Sequence, residues 1–315
     1  MTVGDAVDVP LPARVAAPVR PAADSFSLHG RVSRTVLRKP LILASALFIV
    51  AAVGSAVVVP TLPLGDPTEQ SVVRRLKPPS AENVLGTDRL GRDILSRVMW
   101  GTRISLTVGI GVVAISALFG TLVGLLSGYF VGGLADVLMR VVDVLLAFPP
   151  LILAMVMVTV LGPSLQTVVV AISIGVVPRF ARVARAAILA IREREYVLGA
   201  RALGASTPRI MLRHVLLNAI DPLIVLCTLL VPAAILTEAL LSFLGLGIVE
   251  PTPTWGNMIN NGRLVLREAP WLTFFPSAAI VLTVIAFNLL GDAIRDALDP
   301  NTKDFAAPMR ATGGA

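Results

Sequence analysis

The stretch Arg192-Glu-Arg-Glu-Tyr-Val-Leu-Gly-Ala-Arg-Ala-Leu-Gly-Ala-Ser206 is charged and helix-prone, and it stands between two long apolar runs. The rest of the chain avoids charge. Only 15% of the 315 residues are Asp, Glu, Lys or Arg, and 55% are hydrophobic; soluble domains carry about 25% charged residues. The flanking runs are long enough to cross a bilayer, because a helix rising about 1.5 Å per residue needs roughly 20 residues for about 30 Å of hydrocarbon. The composition predicts a polytopic, all-α integral membrane protein. A charged segment between two spans of such a protein is one it presents to something at the cytosolic face.

Working outward, Leu165–Ala190 is expected as the fourth span and Ile220–Leu246 as the fifth, with residues 191–218 as the cytosolic segment between them. Leu41–Val59, Arg103–Tyr129 and Asp136–Leu161 give the first three spans, and Leu272–Leu290 the sixth. Phe148-Pro149-Pro150 should kink the third span, because each proline removes a backbone donor. Six spans put both termini in the cytosol. Residues 1–40 read as a Pro-, Ala- and Arg-rich disordered tail, 41–298 as the six-span domain, 61–100 as an extracytoplasmic loop and 299–315 as a polar cytosolic tail. The tail before Leu41 is too long for the leading region of a cleaved signal.

The net charge is +7, but the basic residues cluster at the ends of apolar runs, where the positive-inside rule puts them. No basic stretch interleaved with aromatics is present, so nucleic acid is excluded as a partner. Arg179, Arg182 and Arg185 recur at three-residue spacing towards the cytosolic end of the fourth span. The 61–100 loop runs against the rule, since it carries Arg74, Arg75, Lys77, Arg89, Arg92 and Arg97 on the far side. The single cysteine, Cys227, excludes an internal disulfide or a thiolate metal site. His29 and His214 have no ligand-spaced companions, so no metal is expected.

Three features inside the spans stand out. Gly120, Gly124 and Gly128 fall on one helix face, where small residues let a second helix approach closely; the plainer alternative is the general glycine richness of membrane helices. Asp136 and Arg140 are spaced to pair at i, i+4, and Asp143, one turn deeper, reads as structural. Glu238 lies deep in the fifth span, where a carboxylate is costly and faces a cavity or a partner. It is a candidate for the transport path, or else a structural hydrogen bond between helices.

Within the cytosolic segment, Arg192–Leu203 is predicted as a short helix carrying Leu198 and Leu203. Gly204 is suited to end it. Thr207 is expected as the next N-cap, with Pro208 at the first helical position. Two short helices around a glycine bend could lie across a groove on a soluble partner. A plain positive-inside loop would need only Arg201, Arg209 and Arg213.

Ala200-Arg-Ala-Leu-Gly-Ala-Ser206 followed by His214-Val-Leu-Leu-Asn218 resembles the EAA loop of ATP-binding-cassette importer permeases. Leu85-Gly-Thr-Asp-Arg-Leu-Gly-Arg-Asp-Ile-Leu-Ser-Arg97 is similar to the signature before the second span in the peptide/nickel branch. So are Asp136-Val-Leu-Met-Arg-Val-Val-Asp143 with Phe148-Pro149, Leu241-Ser-Phe-Leu-Gly-Leu-Gly247 and Gly291-Asp-Ala-Ile-Arg-Asp-Ala-Leu-Asp-Pro300. These motifs run from about residue 40 to 300 and resemble the second, C-type permease of dipeptide and oligopeptide importers. The resemblance implies a type I importer fold in a bacterial cytoplasmic membrane. It also implies a heterodimer with a second permease, two cytosolic ATPases that bind ATP and Mg, and an extracytoplasmic solute-binding protein. The coupling role would fall to Glu195, Leu198, Ala200, Arg201, Leu203, Gly204, Ala205, Ser206 and Arg209.

The chain departs from the family where the Glu-Ala-Ala falls on Leu198, Gly199 and Ala200, and where a later proline falls on Leu217. Glu195, one turn earlier, is the available stand-in for the glutamate. No Gly-x-x-x-x-Gly-Lys-Ser/Thr loop is present, so the chain is expected to be a non-catalytic subunit without a cofactor of its own. The same machine could carry nickel, glutathione or another small solute. An ion-coupled secondary transporter would show paired intramembrane carboxylates or inverted repeats, and the sequence offers only Glu238. A membrane scaffold would not need the docking segment.

Overall fold

The computed structural model describes residues 39–298, and every regular element among them is helical. The elements are α1 (Pro40–Val58), α2 (Ile94–Tyr129), α3 (Gly133–Ala147), α4 (Pro150–Leu161), α5 (Leu165–Ile191), α6 (Glu195–Ala202), α7 (Thr207–Phe243), α8 (Trp255–Arg263) and α9 (Trp271–Leu298). Five of them, α1, α2, α5, α7 and α9, are each long and apolar enough to cross a membrane. The α3–α4 pair makes a sixth crossing when counted as one span. Apart from Lys39 and Pro40, the two expected tails lie outside the described residues.

Several boundaries differ from those expected. The second span starts nine residues early, at Ile94 instead of Arg103. Asp93 caps it, accepting a hydrogen bond from Ser96 N at 2.8 Å. At 36 residues α2 runs about 54 Å, well beyond the hydrocarbon thickness, so its polar first turns were invisible to a search for apolar length. The fifth span likewise reaches back to Thr207, making one element of 37 residues out of an expected loop and span. The sixth continues to Leu298.

The largest correction is at Phe148-Pro149-Pro150, where a kinked single helix was expected. Here α3 and α4 meet at 91°. Phe148 is extended at φ −93°, ψ 137°, as a residue before proline prefers, and Pro150 begins the next helix at a position that needs no donor. The expected Asp136–Arg140 pair is not among the ion pairs of the described residues. Asp143 instead meets Arg182 of α5 at 2.7 Å and ties α3 to the bundle.

The core is the seam between α2 and α5, with α7 laid against both. A methyl group on Gly120 would sit 2.4 Å from Phe180 Cβ and 2.6 Å from Val177 O. On Gly124 it would sit 2.4 Å from Ala184 Cβ and 2.7 Å from Ala181 O. On Gly128 the nearest atoms would be Ile188 Cγ2 at 3.0 Å and Arg185 O at 3.1 Å. The two backbones therefore approach at a distance that a side chain on these three positions would prevent. Ser116 reinforces the seam, donating to Ser173 O. The first span, α1, is peripheral and buries few residues, packing on α2 and α9.

Candidate coupling loop and the ion cluster at the opposite end

At one end of the bundle α5 closes with a turn at Arg192–Arg194, and α6 runs across that end. Arg192 anchors the turn by donating to Gly128 O, the end of the glycine stripe, at 3.0 Å. Val197 is fully buried and pins α6 to the body, while Tyr196 and Leu198 face outward. Arg201 reaches back to the Tyr129 hydroxyl at 3.4 Å. Partial burial raises the Tyr196 phenol above its ordinary pKa, against the opposing effect of Arg194, so it is present as a neutral hydroxyl.

Gly204 ends α6. Its φ of +80° is the left-handed conformation that favours glycine. Ala205 N donates to Ala200 O at 3.1 Å and Gly204 N to Arg201 O at 3.0 Å, the paired bonds of a Schellman cap. Leu203, just before the bend, is 91% exposed. The next helix starts one residue earlier than expected: Ser206 is its N-cap and Thr207 its first residue, with Pro208 in the second position. Arg209 is exposed in that first turn, and Glu195 is exposed in the first turn of α6. The fold therefore brings Glu195, Leu198, Ala200, Arg201, Leu203, Gly204, Ala205, Ser206 and Arg209 into one bent unit at the end of the bundle.

Beyond Arg209, α7 changes its winding. Ile210–Leu216 is π-helical and Leu217–Ala219 is a 3₁₀ turn, before α-helix resumes at Ile220. Such insertions in an α-helix are rare and are common at functional positions. Ile210, Met211 and Val215 stay buried through the change. Nothing in the sequence signals this winding.

Glu238 is buried within the chain, hydrogen-bonded through Oε1 alone, and its Oε2 has no hydrogen-bond partner. It is 0% exposed. Ser242 Oγ donates to its Oε1 at 2.7 Å, and Thr254 Oγ1 lies 3.5 Å from Ser242 Oγ. Thr254 also caps α8 by accepting from Asn257 N at 3.1 Å. In this conformation the carboxyl is bonded within α7, and Ser242 carries the contact on to Thr254 at the start of α8.

The opposite end holds a feature that sequence reading missed. Arg92 and Arg97, counted above as basic residues on the wrong side, are buried. Arg92 Nε meets Asp88 Oδ2 at 2.5 Å, and both terminal nitrogens of Arg92 donate to Glu250 at 3.3 Å. Arg97, 1% exposed, donates to Glu250 Oε1 at 3.3 Å and to Pro67 O at 3.2 Å. Asn261 Nδ2 completes the group on Glu250 at 2.6 Å. This cluster fastens the 62–93 loop to the loop before α8. Asp88, Arg92 and Arg97 are buried while Glu250 is about a third exposed. Removing Asp88 would cost up to about 3–5 kcal/mol, because an uncompensated buried charge remains, and removing Glu250 would cost less because water screens it. In the same loop Asp66 accepts from Thr68 N and Oγ1, which holds its carboxyl below the usual range. The available signal was the motif around residues 85–97; its partner Glu250 is a lone acid more than 150 residues later.

A family model described as "Binding-protein-dependent transport system inner membrane component" matches residues 120–304. The chain belongs to this family. It is 41% identical to the dipeptide transport system permease protein DppC of Alkalihalophilus pseudofirmus, over 84% of this chain and 88% of that one. To the glutathione transport system permease protein GsiD of Pectobacterium atrosepticum it is 42% identical, over 86% of this chain and 90% of that one. Among solved structures, an inward-facing MetNI methionine ABC transporter chain superposes with a TM-score of 0.54 at 20% identity, covering 64% of this chain and 96% of that one. That likeness supports the fold, a multi-pass type I importer permease. The bent unit and the helices from α3 onward fall inside the matched region, with the glycine-bearing end of α2; α1, the rest of α2 and Asp88, Arg92 and Arg97 of the ion cluster lie before it.

Proposed function

We propose that the chain is a non-catalytic transmembrane subunit of an ATP-driven importer of dipeptides and oligopeptides in a bacterial cytoplasmic membrane. It would pair with a second permease, two cytosolic ATPases and an extracytoplasmic solute-binding protein. The carrying observation is the Leu203–Gly204 turn, which projects an uncovered apolar side chain from the end of a membrane bundle whose family is a transport component. In this reading that end is cytosolic and both termini lie on the same side. The clustering of Arg182, Arg185, Arg192, Arg201 and Arg209 there supports it.

The mechanism is alternating access. ATP binding draws the ATPases together; the α6 unit, seated on one of them, moves with it; the bundle shifts between two arrangements, each favoured by one nucleotide state. ATP and Mg act in the partner subunits, and this chain supplies the lever and part of the path. Peptide cargo is supported by the dipeptide permease relative, and glutathione, itself a tripeptide, is the second reading, supported by the GsiD relative. The test is co-expression with the neighbouring transporter subunits and reconstitution into liposomes. ATP-dependent uptake of labelled dipeptide, delivered by the binding protein, supports the reading. Uptake without an ATPase, or an α6 unit labelled from outside the cell, overturns it.

A further inference from the structure

The buried ion cluster leaves charge unmatched at its rim. Beside it lies a cavity of about 270 Å³ lined by Arg75, Asp88, Arg89, Arg92, Glu250 and Asn261, among others. The two carboxylates are fully engaged: Glu250 receives Arg92, Arg97 and Asn261, and Asp88 receives Arg92 Nε and the backbone nitrogens of Leu90 and Arg92. Arg92 and Arg97 are matched in turn. Arg75 donates through Nε to Arg89 O at 2.7 Å, which leaves its two terminal nitrogens uncommitted. The Arg89 guanidinium has no partner among the described residues. Two exposed guanidiniums therefore stand over a pocket whose own acids are already neutralised.

We propose that Arg75 and Arg89 form a carboxylate-binding site that receives an acidic side chain of the solute-binding protein when it docks. The inference rests on the functional reading above and names the chemistry of one of its partners. A guanidinium binds a carboxylate through two parallel hydrogen bonds, and Arg75 and Arg89 both line this one cavity. The backbone of the site and the Arg75 side chain are held before the partner arrives. The Asp88 carboxylate holds the turn that carries Arg89 through Leu90 N at 2.8 Å and Arg92 N at 2.9 Å. Gly91, at φ +74°, lets that turn lie directly against Ser71 O, and the Arg75 side chain is tied to the Arg89 backbone carbonyl, so both residues border the same pocket. A site ordered in advance loses less entropy on binding. Placement supports the source of the carboxylate: the cavity lies at the end of the bundle opposite α6, where the functional reading puts the solute-binding protein, and its volume of about 270 Å³ has room for an acidic side chain. Exposed charge of this kind acts mainly on the encounter rate and on selection of partner.

The test uses the complete transporter in lipid nanodiscs and the purified solute-binding protein, with affinity read at about 50 mM and about 300 mM salt. The double variant R75A/R89A should weaken docking by about tenfold or more at low salt and flatten the salt dependence. R75K/R89K should fall between, since lysine keeps the charge and loses the fork. Co-purification of all subunits and an unchanged melting temperature show that the variants assemble. Equal affinity and equal salt dependence in wild type and R75A/R89A overturn the inference and leave the transporter reading standing. Saturable binding of free dipeptide to the complex that vanishes in the variant also overturns it, by giving the site to cargo. A wild-type complex that binds no solute-binding protein overturns the functional reading itself.

Discussion

Replacing Gly124 by alanine adds one methyl group at the α2–α5 seam, and the structure sets the size of the effect. The new carbon would lie 2.4 Å from Ala184 Cβ, 2.7 Å from Ala181 O and 2.9 Å from Arg185 N. Carbon atoms in good contact sit about 3.5–4.0 Å apart, so the shortfall exceeds 1 Å. Two of the three opposing atoms belong to the α5 backbone and cannot rotate away. The helices must part along the seam, at about 1–3 kcal/mol for a methylene forced into a packed site. Against this, alanine gains about 1 kcal/mol over glycine in helix propensity. Gly111, on the same helix, is the internal control: its added carbon would stand 3.5 Å from Val169 Cγ1, an ordinary contact, so only the propensity term remains. Denaturation of the purified complex in detergent should rank G111A at or above wild type, G124A below it and G124V lower still. If G124A and G111A unfolded together, the close approach of α2 and α5 would not be a stabilising contact, and the packing argument would fail.

At the coupling end, Leu203→Asp removes the exposed apolar side chain without touching the bundle. A leucine buried in a partner's groove contributes about 1.5–3 kcal/mol, so ATPase retention in pull-down should drop by roughly 10- to 100-fold while the melting temperature of the subunit holds; unchanged retention would remove Leu203 from the contact. Deleting Leu212, an exposed residue of the π-helical stretch, should let the segment rewind as α-helix and turn α6 by about 100° relative to the span. Transport should be lost while the spans still insert, and normal uptake by this deletion would deny the winding any role. Glu238→Gln keeps an oxygen for Ser242 to donate to and should transport as wild type does. Glu238→Leu strands buried hydroxyls and should destabilise by about 1–3 kcal/mol; loss of uptake in Glu238→Gln at unchanged stability would instead mean that the carboxylate meets cargo in another conformation.

What sequence reading recovered follows from which interactions are local. Apolar length found the spans, because burial in lipid is a property of each run by itself. Glycine periodicity identified the face of α2 but not its partner: nothing along the chain links Gly124 to Ala184. The bend at Gly204 was legible because a helix end depends on a few neighbouring residues. The error of one residue at Ser206 came from two adjacent hydroxyl residues competing for one capping position. The 91° break between α3 and α4 was read as a kink, because Phe148-Pro149-Pro150 fixes where a helix stops but not the direction of the next one. The ion cluster was hidden most completely. Arg92 and Arg97 looked like exposed charge on the wrong side of the membrane until the fold brought Glu250 to them.

These particulars assign different stiffness to the two sides of the coupling loop. On the α5 side the chain is locked: α5 packs on α2 at backbone distance, and the turn after it is held by Arg192 on Gly128 O, the last residue of the glycine stripe. On the α7 side the winding passes from α to π to 3₁₀ and back within a dozen residues. A push on α6 meets one rigid flank and one whose hydrogen-bond register already deviates from the ideal. If α6 moves as proposed, displacement of the loop should be taken up first in α7. That helix runs past α2 and α5 to Glu238 and Ser242, and Ser242 meets Thr254, the cap of α8. The far end of this path adjoins the loop that Asp88, Arg92, Arg97 and Glu250 hold in place. One helix thus joins the loop proposed to meet the ATPase to the surface proposed to meet the binding protein, and the α2–α5 pair, packed at backbone distance, is the frame it lies against.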